Sequence, residues 1–175
     1  MVVRKDDLVD AMFKANLVLP GRTDYAFYVD FDKLSKHELC KVFIDDLVET
    51  FCMFQAQHPK KLGLVFNTHI SKDIVRSISV KTGAEYGKFN RDTGDLWGCG
   101  DRADYMFVGY CIASGSSIHD AAKIINQINK DSRIVCGMYF FDRDRWQETL
   151  HGLDIDIYST LNWKDLARGS QFSGK

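Results

Sequence analysis

The chain has 175 residues, 45% hydrophobic and 27% charged, with 23 Lys and Arg against 24 Asp and Glu for a net charge of -1. That length suits one α/β or α+β domain of the usual ~100–200 residues; it buries roughly 70% of the surface that the unfolded form exposes, so neither a metal nor a disulfide is needed to make a core. The charge balance excludes broad attraction to nucleic acid or anionic membrane, no apolar stretch nears the roughly 20 residues that span a bilayer, and Met-Val-Val-Arg-Lys-Asp-Asp lacks a signal peptide's apolar segment, so a soluble, cytoplasmic protein is expected.

In chain order, Leu8, Met12 and Ala15 predict a short first helix, and Gly21-Arg22-Thr23 leads into a strand over Tyr25 to Asp30, which is rich in aromatic and β-branched residues. Ser35-Lys36-His37-Glu38 has the S-x-x-E form of a capping box, followed by an apolar stripe of Leu39, Phe43, Leu47 and Phe51 with Cys40 and Val48 beside it. Pro20 and Pro59 punctuate element ends and set an N-terminal module, residues 1–60, apart from an alternating core, residues 61–175. In that core, strands are expected at 62–66, 106–112, 133–141 and 156–160. Helices are expected at 71–80, ended by Gly83, at 118–128, at 145–150, and from Asn162 onward. Strands alternating with helices of about ten residues imply parallel crossovers and a doubly wound, mainly parallel sheet with helices on both faces. Ligands of such sheets bind outside the carboxyl ends of the strands.

Five cysteines with no C-x-x-C pair fit buried reduced thiols, and the five histidines show no metal-ligand spacing, so no metal site is expected from either. Gly87 to Gly100, holding four of the 13 glycines, interrupts the alternation and reads as a binding loop or a plain β-hairpin.

The segment best suited to chemistry follows the 106–112 strand. Ala113-Ser114-Gly115-Ser116-Ser117 joins it to a helix, and small residues there let successive N–H groups converge at the positive end of the helix dipole. The hydroxyls of Ser114, Ser116 and Ser117 add donors to a phosphate cradle, although the same residues also suit an ordinary helix cap. A P-loop Lys and dinucleotide-fold glycine spacing are both missing.

The order of elements and several short segments resemble orotate phosphoribosyltransferase, a type I phosphoribosyltransferase that joins orotate to phosphoribosyl pyrophosphate, with magnesium, in pyrimidine synthesis. The resemblance covers nearly the whole chain. Gly21-Arg22-Thr23 with Phe27-Tyr28-Val29-Asp30 is similar to the family's N-terminal segment, and Ser114 to Ser117 resembles its 5′-phosphate loop. Asp142-Arg143 falls where the family has an Asp-Arg after its next strand, and Tyr158 to Leu161 resembles the end of its sheet. The resemblance implies base contacts from Phe27, Tyr28 and Arg143, a pyrophosphate-loop position at Asn67, Thr68 and His69, a homodimer, and magnesium if the protein is active.

The chain also departs from the family. Gly109 and Tyr110 stand where the family has two adjacent acids that hold the ribose hydroxyls, and neither side chain offers a carboxylate to that diol or to the charge developing on the sugar. Asn67-Thr68-His69-Ile70-Ser71 replaces a loop of small residues. Lys88 to Asp101 resembles a shortened catalytic loop whose only cations are Lys88 and Arg91, and Leu19-Pro20 stands where the family has a Lys. Three readings follow. One is a phosphoribosyltransferase-like binder of a nucleoside monophosphate or phosphoribosyl pyrophosphate with catalysis weakened or lost. Another is an active enzyme in which Lys88, Arg91 or Asp142 compensates. The last is a non-catalytic interaction module on the same fold, with Trp97 and Trp146 as contact residues or simple packing.

Overall fold

A computed structural model of the protein describes residues 4–20, 27–67, 70, 72–98 and 104–170. Helix α1 (Lys5–Lys14) precedes a two-stranded antiparallel ribbon, β1 (Val18–Pro20) and β2 (Phe27–Val29). Next come α2 (Phe31–Lys36), α3 (Cys40–Gln57), β3 (Leu62–Asn67), α4 (Lys72–Thr82), and the hairpin β4 (Tyr86–Asn90) and β5 (Asp95–Trp97). The chain continues through β6 (Asp104–Ile112), α5 (Ser116–Ile128), β7 (Ile134–Asp142), β8 (Asp156–Asn162) and α6 (Trp163–Ser170). The six-stranded sheet has the order β5-β4-β3-β6-β7-β8. All its pairings are parallel except β4 with the edge strand β5. This is the mainly parallel, doubly wound sheet that the alternation implies.

Both faces of the central strands are covered, so their sequences read as continuous apolar runs and the two-residue period is hidden. The structure separates the faces. Leu64, Phe66, Met106, Val108, Met138 and Phe140 join one core with residues of α1, α3, α4 and α6. Val65, Tyr105, Phe107 and Tyr139 join the other with Ile118, Ala121 and Ile125 of α5. The N-terminal helices α1, α2 and α3 share the first core with the sheet, so the described part of the N-terminal module is packed onto it along one face.

Three expectations about local structure change. Ser35 does not cap α3: it lies inside α2, donating from Oγ to the Asp32 carbonyl at 2.9 Å, and α2 is instead capped by Asp30, which accepts from the Lys33 N–H at 2.9 Å. Asp30 starts a separate short helix that takes up Ser35, and α3 begins after Leu39 without a side-chain cap. In place of a helix over 145–150, residues 147–150 form turns, with an i to i-4 bond from Leu150 N–H to the Trp146 carbonyl. Cys52 is exposed on α3, whereas Cys40 and Cys136 are buried as expected. Asn162 and Asp165 do form a reciprocal cap at the start of α6, each side chain accepting from the other's backbone N–H. The glycine-rich segment forms the β4–β5 hairpin, with Gly94 at φ 71 in its turn; residues 99–103 lie outside the described part.

Candidate functional site

The connection from β3 runs toward β4 on one side, and that from β6 runs toward β7 on the other. The gap between β3 and β6 is therefore the topological switch point, where the strand ends diverge and leave a crevice. A cavity of about 430 Å³ opens there, lined by Asn67 at the end of β3, Gly109 to Ile112 at the end of β6, and all of Ala113 to Ser117. Within it Gly115 is the N-cap of α5 with φ 76, a left-handed conformation that costs a residue with Cβ roughly 1–2 kcal/mol. Gly115 offers no capping side chain, so the first-turn N–H groups keep no acceptor at the N-cap. Ser114 and Ser116 join hydroxyls at 2.6 Å at the mouth, and Ser114 Oγ accepts only a long 3.4 Å bond from the Ser116 N–H. Hydroxyls, backbone donors and the positive end of a 13-residue helix thus converge on one concavity.

A second cavity, about 460 Å³, adjoins the first and shares Phe31 and Cys111 with it. Phe27, Val29, Phe31 and Phe141 make its apolar walls, and Arg143, Arg145 and Lys164 bring cations to it. Its acids are engaged. The Asp142 carboxylate accepts from the Trp146 indole at 3.0 and 3.1 Å and from the Asp144 N–H at 2.6 Å, while Asp144 pairs with Lys164 at 3.4 Å. Aromatic walls with guanidinium groups among the lining suit a flat, anionic group.

Because side chains alternate along a strand, β2 splits the aromatics expected to hold the base. Phe27 faces the second cavity with Arg143, whereas Tyr28, 50% exposed, faces the phosphate-cradle cavity. Of the candidate cations, Arg91 lines the cradle cavity and its Nε donates to Asp120 of α5 at 2.7 Å. Lys88 is exposed on β4 opposite Trp97 and lines neither cavity. Asn67 lines the cradle cavity, but Thr68, His69 and the Gly21-Arg22-Thr23 segment lie outside the described residues. Trp97 is exposed, while Trp146 is partly buried in the site's own packing.

The floor of the cradle cavity is aromatic. Tyr110 stacks on Phe31 with ring centroids 4.8 Å apart and planes 13° apart, and meets Phe140 edge-on at 5.6 Å. A Cβ on Gly109 would lie 2.7 and 2.9 Å from two ring carbons of Tyr139, and one on Gly137 would lie 2.7 Å from a third. The two glycines make room for this buried ring, whose phenol burial pushes well above its ordinary value and keeps neutral. A side chain at 109 would force that ring to shift. Burial likewise pushes the Cys111 thiol up to about 11, so it is no thiolate nucleophile near neutral pH. Tyr139, Phe31 and Asp32, all lining this cavity, escaped sequence reasoning. The available signal was a pair of glycines inside strands, which marks close approach of a neighbour.

These residues do not fit a protein-built magnesium site. Among the described residues no group of three or more His, Cys, Asp or Glu could hold a metal, and Asp142, the carboxylate at the end of β7, is bound to Trp146. No helix among the described residues is long and apolar enough to cross a membrane.

No family model matches the chain, and no curated protein matches it in sequence. Solved structures do match it, and they define the fold as type I phosphoribosyltransferase-like. The orotate phosphoribosyltransferase of Aeropyrum pernix has a TM-score of 0.77 at 15% identity, over 94% of this chain and 99% of that one. The Mycobacterium tuberculosis orotate phosphoribosyltransferase in complex with 5-phospho-alpha-D-ribosyl 1-diphosphate has a TM-score of 0.68 at 14% identity, over 93% of this chain and 98% of that one. The Trypanosoma brucei adenine phosphoribosyltransferase, in complex with AMP, pyrophosphate and ribose-5-phosphate, has a TM-score of 0.67 at 7% identity, over 90% and 81%. At such identities the likeness is one of fold, and a fold alone does not fix an activity.

Proposed function

We propose that the protein binds a phosphorylated ribose, as a nucleoside monophosphate or phosphoribosyl pyrophosphate, and that phosphoribosyl transfer is weakened or lost. The phosphate sits on Ser114 to Ser117 and the N-terminus of α5, and the base sits in the adjoining cavity against Phe27 and Arg143. The observation that supports binding is the uncapped N-terminus of α5 opening with three serines into a cavity at the switch point. Support for lost transfer comes from the same floor, where Tyr139 fills the space a side chain on Gly109 would need and Tyr110 is committed to the Phe31 stack. Without carboxylates there, the positive charge that develops on the sugar as pyrophosphate leaves has less to stabilise it, and such losses cost factors of about 10² or more in rate. Cytoplasmic residence, a role in pyrimidine synthesis and a homodimer belong to the same reading; sedimentation measures the last.

Calorimetric titration with orotidylate or uridylate tests the binding. Saturation at submillimolar ligand is expected, together with its loss in Ser116→Leu, whose side chain enters the cradle; a flat isotherm at millimolar ligand overturns the proposal. A coupled transferase assay with and without magnesium tests the catalytic half. Turnover in the ordinary enzyme range, about 1–10³ per second, would revive the active enzyme.

A further inference from the structure

Two observations meet at one side chain. The indole of Trp146 donates to both oxygens of Asp142, at 3.0 and 3.1 Å, and that carboxylate also accepts from the Asp144 N–H at 2.6 Å. Asp144 has φ 56, a left-handed turn conformation that Asp tolerates when its backbone is held in this way. Arg143 lies between the two, and its own N–H is tied to the Ile112 carbonyl at the end of β6 at 2.9 Å. The same Trp146 packs against the phosphate loop from the opposite side. Its Cβ is 3.2 Å from where a Cβ on Gly115 would stand, with Leu150 at 3.3 Å beside it. One residue therefore braces the turn that carries Arg143 and backs the left-handed glycine of the cradle.

We infer that Trp146 is a positioning residue that sets the spacing between Arg143 and the phosphate loop, selecting ligands with a phosphate at one end and a flat anionic group at the other. The inference rests on the proposed function of the two cavities. A two-ended ligand gains from both contacts only if their separation matches its length, so an error of about 1 Å can cost 10²-fold, whereas a ligand held at one end is indifferent to the spacing. Trp146 touches neither end of such a ligand; it acts through the Asp142 turn and Gly115.

The test compares two probes, orotidylate, which has both ends, and inorganic phosphate, which has one. Trp146→Phe keeps the Cβ that backs Gly115 and removes the N–H that holds Asp142. Calorimetry is expected to give a Kd for orotidylate about 10–100-fold weaker in Trp146→Phe, with the Kd for phosphate changed less than about threefold. A merely structural role would weaken both probes alike, and that result, or an unchanged orotidylate Kd, overturns the inference and leaves the phosphate-cleft reading standing. Wild-type protein that binds neither probe overturns the cleft reading, and the inference with it. Should Trp146→Phe fail to fold, Asp142→Asn attacks the same bond from its other side while keeping shape and one acceptor oxygen. It is expected to weaken orotidylate selectively by about 3–10-fold, and equal loss for both probes counts against the inference.

Discussion

Gly109→Ala is the sharpest perturbation of the site's floor. At a strand glycine with an ordinary negative φ, this change commonly stabilises by about 0.4–1 kcal/mol, because alanine restricts the unfolded chain. Here the added methyl would sit 2.7 and 2.9 Å from ring carbons of Tyr139, which is 3% exposed and confined on its other edge by Gly137. Overpacking of a rigid, well-packed site costs about 1–3 kcal/mol, so the sign reverses and a net loss of roughly 0–2.5 kcal/mol is expected. For a chain of this size each kcal/mol lowers Tm by about 2–4 °C, which puts the decrease at up to roughly 10 °C. Thermal unfolding followed by circular dichroism measures it. The cause is isolated in a Tyr139→Ala background, which by itself costs about 3–5 kcal/mol; there Gly109→Ala should be neutral or stabilising, with a coupling of about 1–3 kcal/mol between the two sites. A Gly109→Ala protein that melts above the wild type, with no coupling to position 139, would refute the claim that the Tyr139 ring excludes side chains from position 109.

Asp104, buried at the far end of the sheet, makes a second, pH-dependent prediction. Burial works to raise its pKa, but hydrogen bonds from His58 at 2.8 Å and the Arg133 N–H at 3.1 Å, with the Lys60 ammonium at 3.4 Å, outweigh burial and hold it below the usual carboxylate range. A depressed folded pKa stabilises fully above the unfolded value of about 3.9 and is lost as pH falls through the folded pKa. Asp104→Asn should lose about 1.5–3 kcal/mol near neutral pH and show a shallower fall in Tm between pH 5 and 2 than the wild type, as followed by thermal melts. Asp120→Asn removes the charge that holds Arg91 at 2.7 Å and takes a negative charge from the second turn of α5. It should tighten inorganic phosphate binding by about 1.5–5-fold in a calorimetric titration, the usual worth of an exposed ion pair, and weaker binding would place Arg91 outside the phosphate's reach.

Much of the fold is legible locally. Gly83 ends α4 at φ 71, Asn162 starts α6, and the serine–glycine loop falls between a buried strand and a helix, each through a preference that operates within a few residues. Other signals compete at the same range, and there reading fails. Asp30 and Ser35 both suit a helix cap; the cap at Asp30 starts α2, which takes Ser35 into its interior, and α3 starts later without one. Residues 145–150 have a helical pattern, yet Trp146 is drawn away to Asp142 and Gly115, so the segment forms turns.

By itself the sequence determined the alternation of strands and helices, the mainly parallel sheet they imply, the small and hydroxyl residues of Ser114 to Ser117 between a strand and a helix, and the absence of acids at Gly109 and Tyr110. These depend on residue type and near neighbours, which a linear chain displays. Only the tertiary structure decided that Tyr139 occupies the space beside Gly109, that Phe27 and Tyr28 face different cavities, and that Trp146 spans Asp142 and Gly115. Strand register and the face each side chain takes arise from pairings between distant segments. A double glycine in two neighbouring strands marks a close approach without naming the ring that makes it.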